Sequence, residues 1–181
     1  MRTLFLLLLS GFAAVAVWTL PIHPAAAGIR LAAADIIVIP VWAPLRREPW
    51  VGHEFEPPFV EAVDAWARVT IAGDGSPNRL RVIIREASVQ QTPLATGARL
   101  FTREPEFRYD ATVTVELDLR DNYDVFQGSV SATVTRSQEV LEDTPPEELQ
   151  EIRAAMVLAM LADLEAELAN QINTHLSTWL R

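Results

Sequence analysis

The chain has 181 residues, with 15 arginines, no lysine, no cysteine and a formal net charge of −9. That excludes Schiff-base and P-loop lysine chemistry, thiol nucleophiles, disulfides and a lipid-bearing cysteine. Such acidity repels nucleic acid and anionic head groups, so no nucleic-acid partner is expected, and the length suits one domain rather than two.

Met1-Arg2-Thr3 and the apolar run from Leu4 to Leu20 have the form of an export signal. Pro24-Ala25-Ala26-Ala27-Gly28 offers a cleavage site after Ala27, with Ala32-Ala33-Ala34 as a second option. Residues 1–27 are therefore read as a signal peptide, or as an inner-membrane anchor if retained, and 28–181 as one α+β domain in the periplasm. Contact with the membrane is expected only through that N-terminal segment.

Asp35 to Ile39 is a short β run closed by Pro40, the form of a buried first strand. Residues 40–58 follow as a loop with five prolines interleaved with Trp42, Trp50 and Phe55. Prolines at that density prevent regular structure, yet large apolar side chains must either pack or mark a contact surface. Trp42, Trp50, Phe55 and Phe59 are the candidate partner-binding residues. Phe59, Val63, Trp66 and Thr70 then recur at helical spacing, with Asp64 placed to pair with Arg68. Gly73-Asp74-Gly75-Ser76-Pro77-Asn78 ends that helix.

Leu80, Val82 and Ile84 alternate with Arg79, Arg81 and Arg85, and the alternation changes parity near Glu86, which predicts a bulge or strand end. Gln91 to Glu106 reads as a loop. Tyr109, Ala111, Val113, Val115, Leu117 and Leu119 define the clearest strand, and Asp121-Asn122-Tyr123-Asp124 turns the chain into a return strand, Phe126 to Arg136. Outward Glu116 and Asp118 are expected to pair with the arginines of the neighbouring strand.

Thr144 to Trp179 reads as one long helix, with Thr144 as N-cap, Pro145 at the first helical position and Glu147 completing a capping box. Every residue from Ala154 to Ala162 is apolar, as in a helix central to a core or shared with a partner, so an oligomer through this helix is one option. The fold class that follows is α+β: a mostly antiparallel four-stranded sheet covered on one face by a short helix and a long C-terminal helix.

Catalytic signals are poor. His53-Glu54-Phe55-Glu56 lacks the paired histidines of a zinc protease, His175 suits a helix C-terminus, and no Gly-x-Ser-x-Gly occurs. The carboxylate pairs Glu54/Glu56, Glu104/Glu106 and Glu116/Asp118 are the one arrangement from which acid–base hydrolysis could be built. No metal, cofactor or enzymatic activity is expected. The leading functional expectation is an accessory protein of the cell envelope that binds an envelope protein partner. The alternative is a carrier of a lipid or other apolar ligand held between sheet and long helix, lined by Met156, Met160 and Leu164.

Asp64-Ala65-Trp66-Ala67, Arg81-Val82-Ile83-Ile84, Arg108-Tyr109-Asp110 and Leu161-Ala162-Asp163-Leu164-Glu165-Ala166-Glu167-Leu168 give the chain a further likeness. It resembles uncharacterised exported proteins of alphaproteobacteria. In element order it is also similar to the auxiliary lipoproteins of ABC-type envelope transporters and to the lipoprotein that plugs the lipopolysaccharide translocon. That resemblance implies a non-enzymatic periplasmic accessory role, and the missing lipidated cysteine departs from both of those families.

Overall fold

A computed structural model of the chain describes residues 28–95 and 103–181. The expected signal segment, 1–27, lies outside the described residues. Six strands and two helices run in the order β1 (Arg30–Leu31), β2 (Asp35–Pro40), α1 (Phe59–Thr70), β3 (Ala72–Gly73), β4 (Asn78–Pro93), β5 (Pro105–Asp121), β6 (Phe126–Leu141) and α2 (Pro146–His175). The main sheet has the order β2-β4-β5-β6, with β2 parallel to β4 and the other pairs antiparallel. Both helices pack on one face of it, and their apolar residues merge with the sheet's inward residues in one core. The architecture is thus the α+β layer that the sequence predicts.

Strand parity builds this core. Leu80, Val82 and Ile84 face inward, and a register shift between Ile84 and Glu86 then lets Ala87 and Val89 face the same way. One extra residue in β4 is what keeps both halves of a 16-residue strand apolar side inward. Opposite them, Tyr109, Ala111, Val113, Val115, Leu117 and Leu119 of β5 are all buried. The β5–β6 turn is held by the Asp121 carboxylate, which accepts from the Tyr123 and Val125 N–H groups at 2.8 and 2.9 Å.

Several details differ from the sequence reading. Strand β2 is an edge strand, half-exposed rather than buried, because β4 is its one neighbour in the sheet. Gln91–Pro93 and Pro105–Glu106 belong to strands rather than to a loop, since β4 runs on to Pro93, where Gln91 pairs with Tyr109 and Thr92 with Arg108, and β5 starts at Pro105. Their polar side chains carry no apolar alternation, and only the ladder reveals them. Thr144 does not cap α2. Pro145 occupies the cap position with no side-chain hydrogen bond, Pro146 opens the helix, and the Thr144 hydroxyl donates back to the Leu141 carbonyl at 2.6 Å. The helix ends at His175, and Ser177–Trp179 forms a separate 3-10 turn.

That last turn closes the other end of the molecule. The Ala32 N–H donates to the Trp179 carbonyl and the Arg181 N–H to the Arg30 carbonyl, so the C-terminal residues extend the small parallel β1–β3 ribbon. A Cβ on Gly73 would lie 2.2 Å from the Ala33 carbonyl oxygen, which is why a glycine stands at this contact of two backbones.

Candidate functional site

The loop of residues 41–58 links β2 to α1 and is more ordered than its prolines imply. At its centre Trp50 bridges to Gln90, the Val51 N–H donates to the Val89 carbonyl and the Gln91 N–H donates to the Pro49 carbonyl. The loop thereby continues the free edge of β4 beyond the end of β2. A 3-10 turn, Gly52–Glu54, then swings Phe55 into the core. Phe55 meets the Tyr109 ring edge-on at 5.6 Å and lies 6.2 Å from Phe59.

A buried cation fixes this turn. Arg153, on the first turns of α2, is 7% exposed. Its guanidinium donates to the Tyr109 hydroxyl from Nε (3.0 Å) and a terminal nitrogen (2.8 Å), to the Glu54 carbonyl (2.9 Å) and to the Glu54 carboxylate (2.8 Å). Phe55 and Tyr109 stack on it at 5.4 and 5.5 Å. A planar, delocalised cation with this many directed partners tolerates burial where an ammonium would not. Burial raises the Tyr109 pKa, and the neighbouring Arg153 offsets part of that rise. The sequence reading overlooked Arg153. Its available signal was a lone cation three residues before Met156, on the line of α2 that faces the sheet.

The four candidate partner-binding residues separate into two pairs. Phe55 and Phe59 are buried core residues, whereas Trp42 and Trp50 are half-buried and meet edge-to-face at 6.0 Å. Trp42 forms one wall of an open cleft of about 530 Å³ with Pro40 and, from α1, Val60, Glu61, Asp64 and Arg68. Asp64 and Arg68 pair in two hydrogen bonds of 2.8 and 2.9 Å, as the sequence predicts, and leave Glu61 as the cleft's other carboxylate. Met156, Met160 and Leu164, the candidate ligand-lining residues, are seated in the core and line none of the cavities described here. A ligand between sheet and helix would have to displace them.

Of the candidate carboxylate pairs, Glu116/Asp118 is fully engaged by arginines and Glu54/Glu56 through Glu54 alone. Arg81 pairs with Asp118 and Arg85 with Glu116 at 2.8 Å, the cross-strand pairing expected for this face, and Arg120 of the same strand joins Asp118 at 3.3 Å. Glu54 holds Arg153. Among the described residues no group of three or more His, Asp or Glu is placed to hold a metal ion, and no helix there is long and apolar enough to cross a membrane.

No family model matches the chain, and no curated protein matches it. Among solved structures it is similar to rare lipoprotein B from Shewanella oneidensis (12% identity, TM-score 0.39, covering 77% of this chain and 95% of that one). An uncharacterized lipoprotein B from Nitrosomonas europaea gives 13% identity and a TM-score of 0.37 over 81% and 91% of the two chains. A minor lipoprotein from Acinetobacter baumannii gives 12% and 0.34 over 75% and 93%. Identities and scores this low assign neither a family nor a function to the chain.

Proposed function

We propose that this chain is a non-catalytic accessory protein of the cell envelope, exported to the periplasm, where it binds a protein partner of a transport or envelope-assembly system. The observation that carries the reading is Trp42. It is a large aromatic left half-exposed on a loop that is pinned by backbone pairing to β4 and by Arg153 to α2, and it walls the cleft beside α1. Rigid aromatic anchors beside polar rims are the usual energetic centres of protein contacts. Export is supported by the basic start and apolar run of residues 1–20.

The test is a photo-crosslinking residue at position 42 in the full chain, expressed in intact cells of its own host. The expected result is one discrete adduct in the envelope fraction, strongly reduced when the same crosslinker is moved to Thr133 on the open face of the sheet. Recovery of the protein in the cytosol, or absence of any adduct specific to position 42, overturns the reading.

A further inference from the structure

Helix α2 carries a second surface that the Trp42 cleft does not use. Between the loop at Phe55-Glu56-Pro57 and the α2 residues Gln150, Arg153, Ala154, Val157 and Leu158 lies a largely apolar groove of about 240 Å³. This volume is below the ~300–1,000 Å³ usual for small-molecule sites, and suits one or two anchoring side chains better than a whole ligand. Leu158 at its rim is 68% exposed, and Ala154, Ala155 and Ala162 lie open beside it. The groove ends on the Arg153–Glu54 pair, so its floor is rigid.

Charge around the groove selects the occupant. Glu151 and Glu165 stand seven residues before and after Leu158, within about 20° of its direction on the helix, and Glu147 lies one turn beyond Glu151. Glu56 borders the loop side. None of these four carboxylates meets an arginine or histidine within 4.0 Å among the described residues, whereas Glu116 and Asp118 on the sheet face are paired with arginines. A second copy docking antiparallel about Leu158 would stack Glu151 against Glu165, like charge on like. An anionic lipid surface meets the same repulsion.

We infer that this groove docks a cationic amphipathic segment of another protein, with one or two apolar side chains in the groove and flanking Lys or Arg over Glu56, Glu147, Glu151 and Glu165. The inference rests on the reading that the chain binds a protein partner, but it uses a face separate from Trp42. Its test therefore needs no cellular partner. A fluorescent helical peptide of leucine and lysine, and a twin with glutamate in place of lysine, are titrated against the purified full-length chain. The lysine peptide should bind at a single site. Leu158→Gln and the double change Glu56→Gln/Glu151→Gln should each weaken it roughly tenfold, and added salt should weaken it further. The glutamate twin should not bind, and Trp42→Ala should leave binding unchanged. Glu56, Glu151 and Leu158 are exposed and make no side-chain hydrogen bond or ion pair among the described residues, so unchanged thermal melts will show that these variants fold. Wild-type affinity in both variants, equal binding of the twin, or loss of binding in Trp42→Ala overturns the inference. So does self-association of the chain in sedimentation that Leu158→Gln abolishes, which would give the face to a second copy.

Discussion

Arg153 is the residue on which the loop and the long helix depend together. Taking a guanidinium out of water costs several kcal/mol, and here the Glu54 carboxylate, the Glu54 carbonyl and the Tyr109 hydroxyl offset it. Glu54 is itself 44% exposed in its side chain, so on losing the arginine it would return to water, and Tyr109 would be the group left stranded. Arg153→Met is therefore expected to destabilise by about 2–3 kcal/mol, below the cost of breaking a fully buried pair. Adding Tyr109→Phe to that variant should recover part of the loss, because no orphaned hydroxyl remains. Urea unfolding of the two single variants and the double variant measures this, and strictly additive losses would show that the two side chains do not act as a unit. Before the fold is known, this site is half-legible: an arginine on the sheet-facing line of an apolar helix signals a buried partner, but a partner 99 residues away is set by topology alone.

At the scale of elements, the strands could be read and the long helix only in part. Period-two alternation has a direct physical cause in the pleat, so the β5 and β6 faces and the β4 bulge follow from the residues themselves. In α2 the buried apolar residues are Met156, Met160, Leu164, Leu168 and Ile172, each four residues on from the last. Steps of four advance 40° beyond a full turn, so the buried line winds through about 160° across this span as the helix follows a twisted sheet. The apolar run at Ala154–Ala162 proves to be one buried line plus an open ridge. The cap was misjudged for a different reason: Thr144 has a nearer acceptor in the Leu141 carbonyl. Helix stability should then reside in the winding line and not in the cap. Leu168→Ala is expected to cost about 3 kcal/mol, and Thr144→Ala about 0.5 kcal/mol, less than a lost cap. Thermal unfolding of both variants tests the ratio, and a Thr144→Ala loss comparable to that of Leu168→Ala would restore the capping role.

The whole molecule is a sheet with one apolar face under two helices and one open face laced by arginine–carboxylate pairs, and this composition gives it an unusual response to alkali. Lysine and cysteine are absent, so no thiol or ammonium titration overlies that of the buried Tyr109 phenol in alkali. Tyr123 is exposed at the β5–β6 turn, and Tyr109 is fully buried against Phe55, Phe107 and Arg153. Burial is the largest cause acting on the Tyr109 hydroxyl, and it raises the pKa above the ordinary 10.0 despite the opposing arginine. Below 10.0 the folded and unfolded chains both hold that proton, and pH has no leverage through it. Above 10.0 the unfolded chain releases the proton while the folded chain keeps it, so stability must fall as pH rises toward the raised value. Urea midpoints measured from pH 8 to 11.5 should therefore decline beyond pH 10, and Tyr109→Phe should flatten the decline while lowering the midpoint at pH 8 only modestly. An equally steep decline in Tyr109→Phe would assign the alkaline transition elsewhere.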